Sequence, residues 1–119
     1  MRTLILIAAL LLSGSTILTL SAQSMGLEIG NKAPEIKLPT LKGDTVSLSS
    51  LKGKLVLIDF WGTWCSPCVE EQSELAKLYA KYKQLTFING KGFEIYGVTL
   101  DSKKENWGNF ITKNKINWI

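Results

Sequence analysis

The sequence predicts an α/β domain whose core is a parallel sheet. Residues 54–61 form a nearly continuous apolar run with β-branched and aromatic side chains, which is typical of a strand buried on both faces. Residues 93–100 are apolar enough for a second buried strand. A segment with helical spacing of apolar residues follows each run, and the resulting order β-α-β-α-β favours parallel pairing with right-handed crossovers. The 119 residues are enough for one small domain.

The N-terminal segment 1–22 predicts a secretory signal peptide. Arg2 gives a positive start, residues 3–20 carry no charge, and small residues follow, with cleavage expected after Ala22 or Ser24. The alternative is an uncleaved N-terminal anchor, because residues 3–20 are long enough to span a bilayer. Both interpretations place the domain formed by residues 23–119 in the periplasm or another extracytoplasmic compartment, where a disulfide persists.

The charge of the chain does not indicate nucleic-acid binding. Removal of the leader leaves 13 lysines against 10 acidic residues, a mildly basic balance without clusters. The sequence has no histidine, which excludes serine–histidine and cysteine–histidine catalysis and histidine-ligated metals. Two cysteines are too few for a four-cysteine metal site within one chain. Chemistry of the two thiols themselves, without cofactor or metal, remains.

Turn-rich residues precede the first buried strand. Short alternating pieces at 35–38 and 45–48 flank Lys42-Gly43-Asp44, which predicts a β-hairpin. Residues 49–53 predict a brief helical turn that ends at a glycine. The predicted core domain therefore carries an N-terminal hairpin extension.

The second half of the chain supplies the remaining elements. Residues 69–82 predict a helix with glutamates early and lysines late, which suits the helix dipole, and residues 84–92 predict a loop. Asp101-Ser102 is expected to cap a second helix over 103–113. Residues 116–119 begin a further predicted strand.

Cys65 and Cys68 lie at the junction between a buried strand and an amphipathic helix. Their spacing brings the two sulfurs within disulfide reach when Cys65 is at the helix start. Free backbone N–H groups and the helix dipole there favour the nucleophilic thiolate, and Pro67 fits a first helical turn. Cys65 is therefore expected to attack a disulfide of a protein substrate, and Cys68 to resolve the mixed disulfide.

Two other interpretations of the cysteine pair are a structural disulfide and half of a metal site shared by two chains. A disulfide across so short a loop removes little chain entropy, which disfavours a structural role. Metal binding needs a symmetric dimer that contributes two cysteines from each chain. Redox function is the favoured interpretation.

Three features near the pair are assigned roles. Asp59 interrupts the apolar strand, and we interpret it as a buried acid–base group that takes the proton of Cys68. The alternative is a strand-end carboxylate satisfied by a backbone N–H group or water. Trp64 is expected to form an exposed apolar wall for a protein substrate, with a core position as the alternative. Ser66 and Pro67 complete the predicted substrate-facing set.

The motif closely resembles the active-site segment of the thioredoxin superfamily. Residues 59–68 read Asp-Phe-Trp-Gly-Thr-Trp-Cys-Ser-Pro-Cys. Further segments are similar to the membrane-facing, secreted branch of redoxins related to TlpA and ResA, and these are residues 29–34, 41–44, 52–54 and 92–98 with Asp101. The chain is thus identified as a member of this branch, from about residue 28 to the end.

The resemblance implies a thioredoxin-like fold, a Cys65–Cys68 redox disulfide and a proton-transfer role for Asp59. The implied partners are protein disulfide substrates and a membrane or periplasmic thiol electron donor, with membrane contact only through the N-terminal segment. Family roles include reduction of apocytochrome c before haem attachment and general extracytoplasmic disulfide reduction. No cofactor is implied.

Two departures from the family pattern are visible. The branch commonly has asparagine or another residue where Asp59 stands. It also places a cis-proline opposite the dithiol, whereas the sequence has no proline after Cys68. The chain also ends where a third central strand begins. We therefore expect a partial thioredoxin-like domain that lacks its C-terminal hairpin and helix, with an uncovered sheet edge.

Two functional alternatives stay open at this point. A thiol peroxidase of the peroxiredoxin-like group has a Pro-x-x-x-Thr-x-x-Cys pattern, but Ile58 and Gly62 occupy the corresponding positions before Cys65. A secreted binding module with a structural disulfide is the other.

Overall fold

The computed structural model describes residues 23–119, so the predicted signal segment 1–22 lies outside the described residues. The described residues fall into two units, 23–34 and 35–119. In the described part of the first unit, a parallel bridge joins Met25 to Lys32. Within residues 23–119, neither helix is long and apolar enough to cross a lipid bilayer.

The second unit begins with the predicted hairpin. Strands β1 (Lys37–Pro39) and β2 (Thr45–Ser47) pair antiparallel, and Gly43 in the connecting turn has a φ of 93°, which favours glycine. A 3₁₀ helix, Leu48–Leu51, follows. Gly53 then takes a φ of 89°, so the predicted glycine-terminated turn is confirmed.

The central sheet consists of two parallel strands. Strand β3 (Leu55–Trp61) leads into helix α1 (Ser66–Tyr82), and a small hairpin of β4 (Thr86–Phe87) and β5 (Gly90–Lys91) precedes β6 (Phe93–Thr99). Strand β6 pairs with β3 in parallel, with Leu55 opposite Phe93 and Trp61 opposite Thr99. The predicted β-α-β unit is confirmed, and residues 84–92 contain a hairpin where a loop was expected.

Both faces of this sheet carry a hydrophobic cluster. Ile95 is fully buried on the α1 face and packs with Leu75 and Phe93, while Tyr79, Tyr82, Phe87 and Trp118 lie against them. On the opposite face, Leu51, Tyr96 and Val98 form the second cluster, against which the hairpin residues Ile36 and Val46 pack. The Tyr96 hydroxyl donates to the Val46 carbonyl oxygen at 2.8 Å. The hairpin is thereby attached to the central sheet.

Strand β3 is less buried than its sequence predicts. Leu55, Leu57 and Phe60 are 44%, 37% and 58% exposed, so the expectation of a strand buried on both faces is wrong for these residues. The reason is that β3 has one neighbour. The Leu55 N–H group donates to the Gly92 carbonyl oxygen, and the Trp61 carbonyl oxygen accepts from the Leu100 N–H group. The backbone N–H and C=O groups of the odd-numbered residues of β3 therefore point toward β6. Among residues 23–119 no strand pairs with the other edge.

The second helix, α2, spans Lys104–Asn114 and starts differently from the prediction. Its N-cap residue is Lys103, and no side chain caps it, so the expected Asp101-Ser102 cap is wrong. Asp101 is instead occupied by hydrogen bonds to the loop after β3. Residues 116–119 do not form the predicted strand. One backbone hydrogen bond joins them to β6, in which the Gly97 N–H group donates to the Ile119 carbonyl oxygen at 2.6 Å.

The buried side chain of Ile95 tests the importance of the α1-facing cluster. We expect Ile95→Ala to lower the free energy of unfolding by about 2–5 kcal/mol, because truncation leaves a cavity between β6 and α1. Chemical denaturation followed by circular dichroism measures the change. Ile88→Ala, at a fully exposed position, should cost less than about 0.5 kcal/mol. Equal losses for the two variants would contradict this assignment of the core.

Candidate active site

Cys65 and Cys68 form a disulfide at the N-terminal end of α1. Their Cα atoms are 5.3 Å apart. Cys65 is the N-cap residue of the helix, and its Sγ accepts a hydrogen bond from the Cys68 N–H group at 3.4 Å. Pro67 lies in the first turn, where its missing N–H group has no intrahelical partner to lose. Both cysteines are half-buried.

This position favours the thiolate form of Cys65 after reduction. The Sγ lies at the positive end of the helix dipole and faces free backbone N–H groups. The first turn of α1 contains no acidic side chain. Glu70 and Glu71 follow it and are exposed, so water screens their repulsion. The arrangement can carry out thiol–disulfide exchange, with Cys65 as the nucleophile.

Asp59 is half-buried in β3 and contacts α1 through one side chain. Gln72 Nε2 donates to Asp59 Oδ2 at 3.0 Å. Gln72 is itself buried and lies four residues after Cys68, so both side chains project from the same face of the helix. The carboxylate of Asp59 is thereby bonded to a side chain that lies one helical turn from the second cysteine.

The loop that carries the first cysteine is fixed by Asp101. Thr63 donates to this carboxylate twice, from its backbone N–H group at 3.0 Å and from its Oγ1 at 2.6 Å. The Thr99 hydroxyl donates to it at 2.8 Å. Burial by itself raises the pKa of Asp101, but these hydrogen bonds from Thr63 and Thr99 outweigh it and lower the pKa below its usual value. The ionised carboxylate is the form that holds the loop.

The residues that the sequence predicts to face a substrate lie next to the cysteines in the chain. Trp64 is 69% exposed, and its indole lies over Gly62, where a Cβ atom would come within 2.7 Å of the indole nitrogen. Ser66 and Pro67 are also exposed. Trp61, in contrast, is buried and packs on Phe110 of α2 with ring centroids 5.1 Å apart. The exposed wall thus consists of Trp64, with Ser66 and Pro67 beside it.

The sequence alone did not reveal two contacts of the site, that of Gln72 with Asp59 and that of Asp101 with Thr63. Gln72 has the i,i+4 spacing from Cys68 and interrupts the apolar face of α1, which was the available signal. The bonding of Asp101 to Thr63 joins residues 38 positions apart, and it depends on the strand register. Local sequence gave no indication of it.

Asp101 makes the stability of the loop depend on pH. Because its pKa is lower in the folded chain, its contribution is complete above the unfolded-state pKa and is lost as the pH falls through the folded-state pKa. We expect Asp101→Asn to destabilise the chain by about 1 kcal/mol at pH 7 and by less at pH 3. Denaturation between pH 3 and pH 7 measures the difference, with the exposed Asp44→Asn as the control. A constant difference across this range would contradict the role of the charged form.

Comparison with known proteins gives relatives over most of the chain. The protein is 37% identical over 111 residues to the thiol-disulfide oxidoreductase ResA of Bacillus thuringiensis, which covers 90% of this chain and 61% of that protein. It is 44% identical over 64 residues to the thioredoxin-like protein YneN of Bacillus subtilis, and the alignment covers 54% of this chain and 38% of that protein. The chain therefore spans about 61% of the length of the ResA relative.

A solved structure agrees with the fold. The thioredoxin domain of a thiol-disulfide oxidoreductase from Bacteroides vulgatus superposes with a TM-score of 0.68 at 43% identity, over 78% of this chain and 62% of that one. The thioredoxin-like fold with an N-terminal hairpin is thus confirmed, as is its partial extent relative to these chains. The AhpC/TSA family profile matches residues 29–118. This chain belongs to the AhpC/TSA family, within its ResA-like thioredoxin-fold members.

Proposed function

We propose that this chain reduces disulfides of exported proteins by thiol–disulfide exchange at Cys65 and Cys68. The observation that carries the proposal is the half-buried disulfide at the N-terminus of α1, with Cys65 as the N-cap residue. The ResA relative and the Bacteroides vulgatus domain are both named thiol-disulfide oxidoreductases, which supports the same chemistry here. Trp64, Ser66 and Pro67 are proposed as the surface against which the substrate lies.

The reaction starts from the reduced dithiol. The Cys65 thiolate attacks one sulfur of the client disulfide, and the other client sulfur leaves as a thiolate and takes a proton from water. A mixed disulfide then joins Cys65 to the client. The N-terminus of α1 stabilises the attacking thiolate, and Thr63, held by Asp101, keeps the loop in place for the attack.

Cys68 completes the reaction. Its thiol gives a proton to the Asp59 carboxylate, and its sulfur attacks Cys65 Sγ, which re-forms the Cys65–Cys68 disulfide and releases the second client sulfur. That thiolate takes up a proton. Two electrons have then moved from the dithiol to the client. The neighbouring Gln72–Asp59 hydrogen bond, one helical turn from Cys68, supports this role of Asp59.

The residues between the cysteines favour one direction of electron flow. Ser66 and Pro67 include no histidine, so the thiolate lacks the additional cation that favours a strongly oxidising disulfide. This supports a reductant, re-reduced by a membrane or periplasmic thiol donor. The redox potential measured against glutathione tests the direction.

The signal-like segment 1–22 supports an extracytoplasmic location. The resemblance to the ResA-like branch adds a candidate client, an apocytochrome c whose cysteines are reduced before haem attachment. A fluorescent fusion and cell fractionation test the location. Reduction of a disulfide-bonded apocytochrome c by the purified chain, compared with reduction of insulin, tests the client.

A structural disulfide and a peroxidase are the competing assignments. Mild dithiothreitol followed by alkylation and mass spectrometry should modify both cysteines at once in an exchange-active pair, whereas a structural bridge resists. Peroxide should not oxidise the reduced chain at catalytic rates, because Gly62 and Ile58 replace the threonine and proline of the peroxidase pattern.

Separate cysteine variants should separate the two chemical steps. We expect Cys65→Ser to abolish insulin reduction, because the nucleophile is lost, and Cys68→Ser to accumulate a mixed disulfide with the client, because the second step is blocked. Non-reducing electrophoresis and mass spectrometry detect the adduct. Ser73→Ala, an exposed change on the same helix, should retain full turnover. Full turnover by Cys68→Ser would refute the resolving role.

The acid–base role of Asp59 predicts a selective effect on the second step. We expect Asp59→Asn to slow resolution of a preformed mixed disulfide by roughly 100-fold while the first attack keeps its rate, because only Cys68 needs this proton acceptor. Stopped-flow measurements from pH 6 to pH 8 separate the two rates, with Asp44→Asn as the exposed control. An unchanged rate over this range would return Asp59 to a structural role.

A further inference from the structure

Gln72 is buried in a way that packing alone does not explain. Its residue exposure is 5%, yet it occupies a helix face whose other buried member is Leu75. Nε2 donates to Asp59 Oδ2 at 3.0 Å, whereas Oε1 is buried and finds no hydrogen-bond donor among residues 23–119. Buried amide oxygens are normally satisfied, so one end of this side chain has an unused acceptor.

The unused acceptor matches the other protonation state of Asp59. An ionised carboxylate only accepts hydrogen bonds, and the Nε2 group facing it is a donor. A protonated carboxyl group has an O–H donor, for which the Gln72 carbonyl oxygen is the fitting acceptor. The terminal torsion of glutamine is broad and roughly two-fold, so a half-turn of the amide exchanges the two ends.

We propose that Gln72 is a positioning residue for proton transfer between Cys68 and Asp59. Its amide holds the Asp59 carboxylate by Nε2–H while the acid is ionised, and turns Oε1 toward it when the acid carries the proton. This inference rests on the proposed function, because it needs Asp59 as the proton acceptor in the resolving step.

The proton and electron balance is unchanged by this role. The Cys68 S–H bond breaks, its proton forms the O–H bond of Asp59, and the Cys68 sulfur forms the new bond to Cys65 as the client sulfur leaves with the electron pair. Asp59 later returns the proton to water or to the client thiolate. Gln72 exchanges a donated hydrogen bond for an accepted one, and it gains or loses no proton.

The surroundings of Asp59 leave Gln72 as its polar partner. On β6 the residue opposite Asp59 is Gly97, flanked on the same face by Ile95 and Thr99, none of which ionises near neutral pH. On α1, Cys68 lies one turn before Gln72 on the same helix face, while Glu70 and Glu71 are exposed. Neither salt bridge within the described residues includes Asp59. A change at Gln72 therefore acts on Asp59 without an intervening charge.

The kinetic test uses the whole chain with Gln72→Met, which keeps the side-chain length but removes both amide ends. We expect resolution of a preformed mixed disulfide to slow about 10-fold, less than for loss of Asp59 itself, with its pH profile displaced and the first attack by Cys65 unchanged. In an Asp59→Asn background the same substitution should have no further effect. Leu75→Met, a buried change of similar volume on α1, is the matched control.

The outcomes distinguish the two proposals. A slow Asp59→Asn variant together with a Gln72→Met variant that matches Leu75→Met in rate and pH profile would overturn the role of Gln72 and leave the proposed function intact. An Asp59→Asn variant with an unchanged resolving step would overturn both roles. A wild-type chain that does not exchange disulfides at all would overturn the proposed function.

A spectroscopic readout does not depend on activity or on the folding of a variant. The side-chain amide resonances of Gln72 in wild-type protein, followed by ¹⁵N NMR in both redox states as the solution is acidified down to the point of unfolding, should shift when the amide turns toward the protonated carboxyl group. Resonances that stay constant until the chain unfolds would overturn the proposal.

Discussion

The parallel register of the two central strands is the constraint on which the rest of the site depends. Trp61 ends β3 directly opposite Thr99 at the end of β6, so the two following segments leave the sheet side by side. Asp101 can then accept from Thr63, which lies in the loop that carries the first cysteine. A slip of one residue would turn the faces of β3 over and remove Asp59 from α1. The geometry of the redox site therefore depends on the register of the sheet.

Two acidic residues of the central sheet, one buried and one half-buried, have partners of different kinds. Glu94 on β6 is paired with Lys54 at 3.0 Å, a fixed charge partner at the N-terminal end of the sheet. Asp59 on β3 has the neutral amide of Gln72 instead. A cation favours only the ionised form of a carboxyl group, whereas an amide can bond to either form. The neutral partner is thus compatible with proton transfer, and the charged partner with a permanent structural role.

Local patterns in the sequence predicted the elements of the site, while contacts between distant residues escaped them. The hairpin around Gly43, the two central strands and α1 follow from apolar periodicity and turn residues, and Cys65 and Cys68 follow from their place between strand and helix. The burial of β3 was overestimated because the apolar pattern of a strand does not show how many other strands pair with it. The prediction that Asp101 caps a helix was wrong because Thr63, in a distant loop, and Thr99 donate hydrogen bonds to its carboxylate.

The two cysteines share the first turn of α1, where the Cys68 N–H group donates to Cys65 Sγ, and each depends in addition on a separate contact. Cys65 depends on the loop that Asp101 and Thr63 hold at the ends of the strands. Cys68 depends on the first turns of α1 and, through the same helix face, on the contact between Gln72 and Asp59. The Asp101–Thr63 and Gln72–Asp59 contacts share no residue, so their contributions to rate should be nearly additive. Through these two contacts, substitutions can therefore change the nucleophilic step and the resolving step separately.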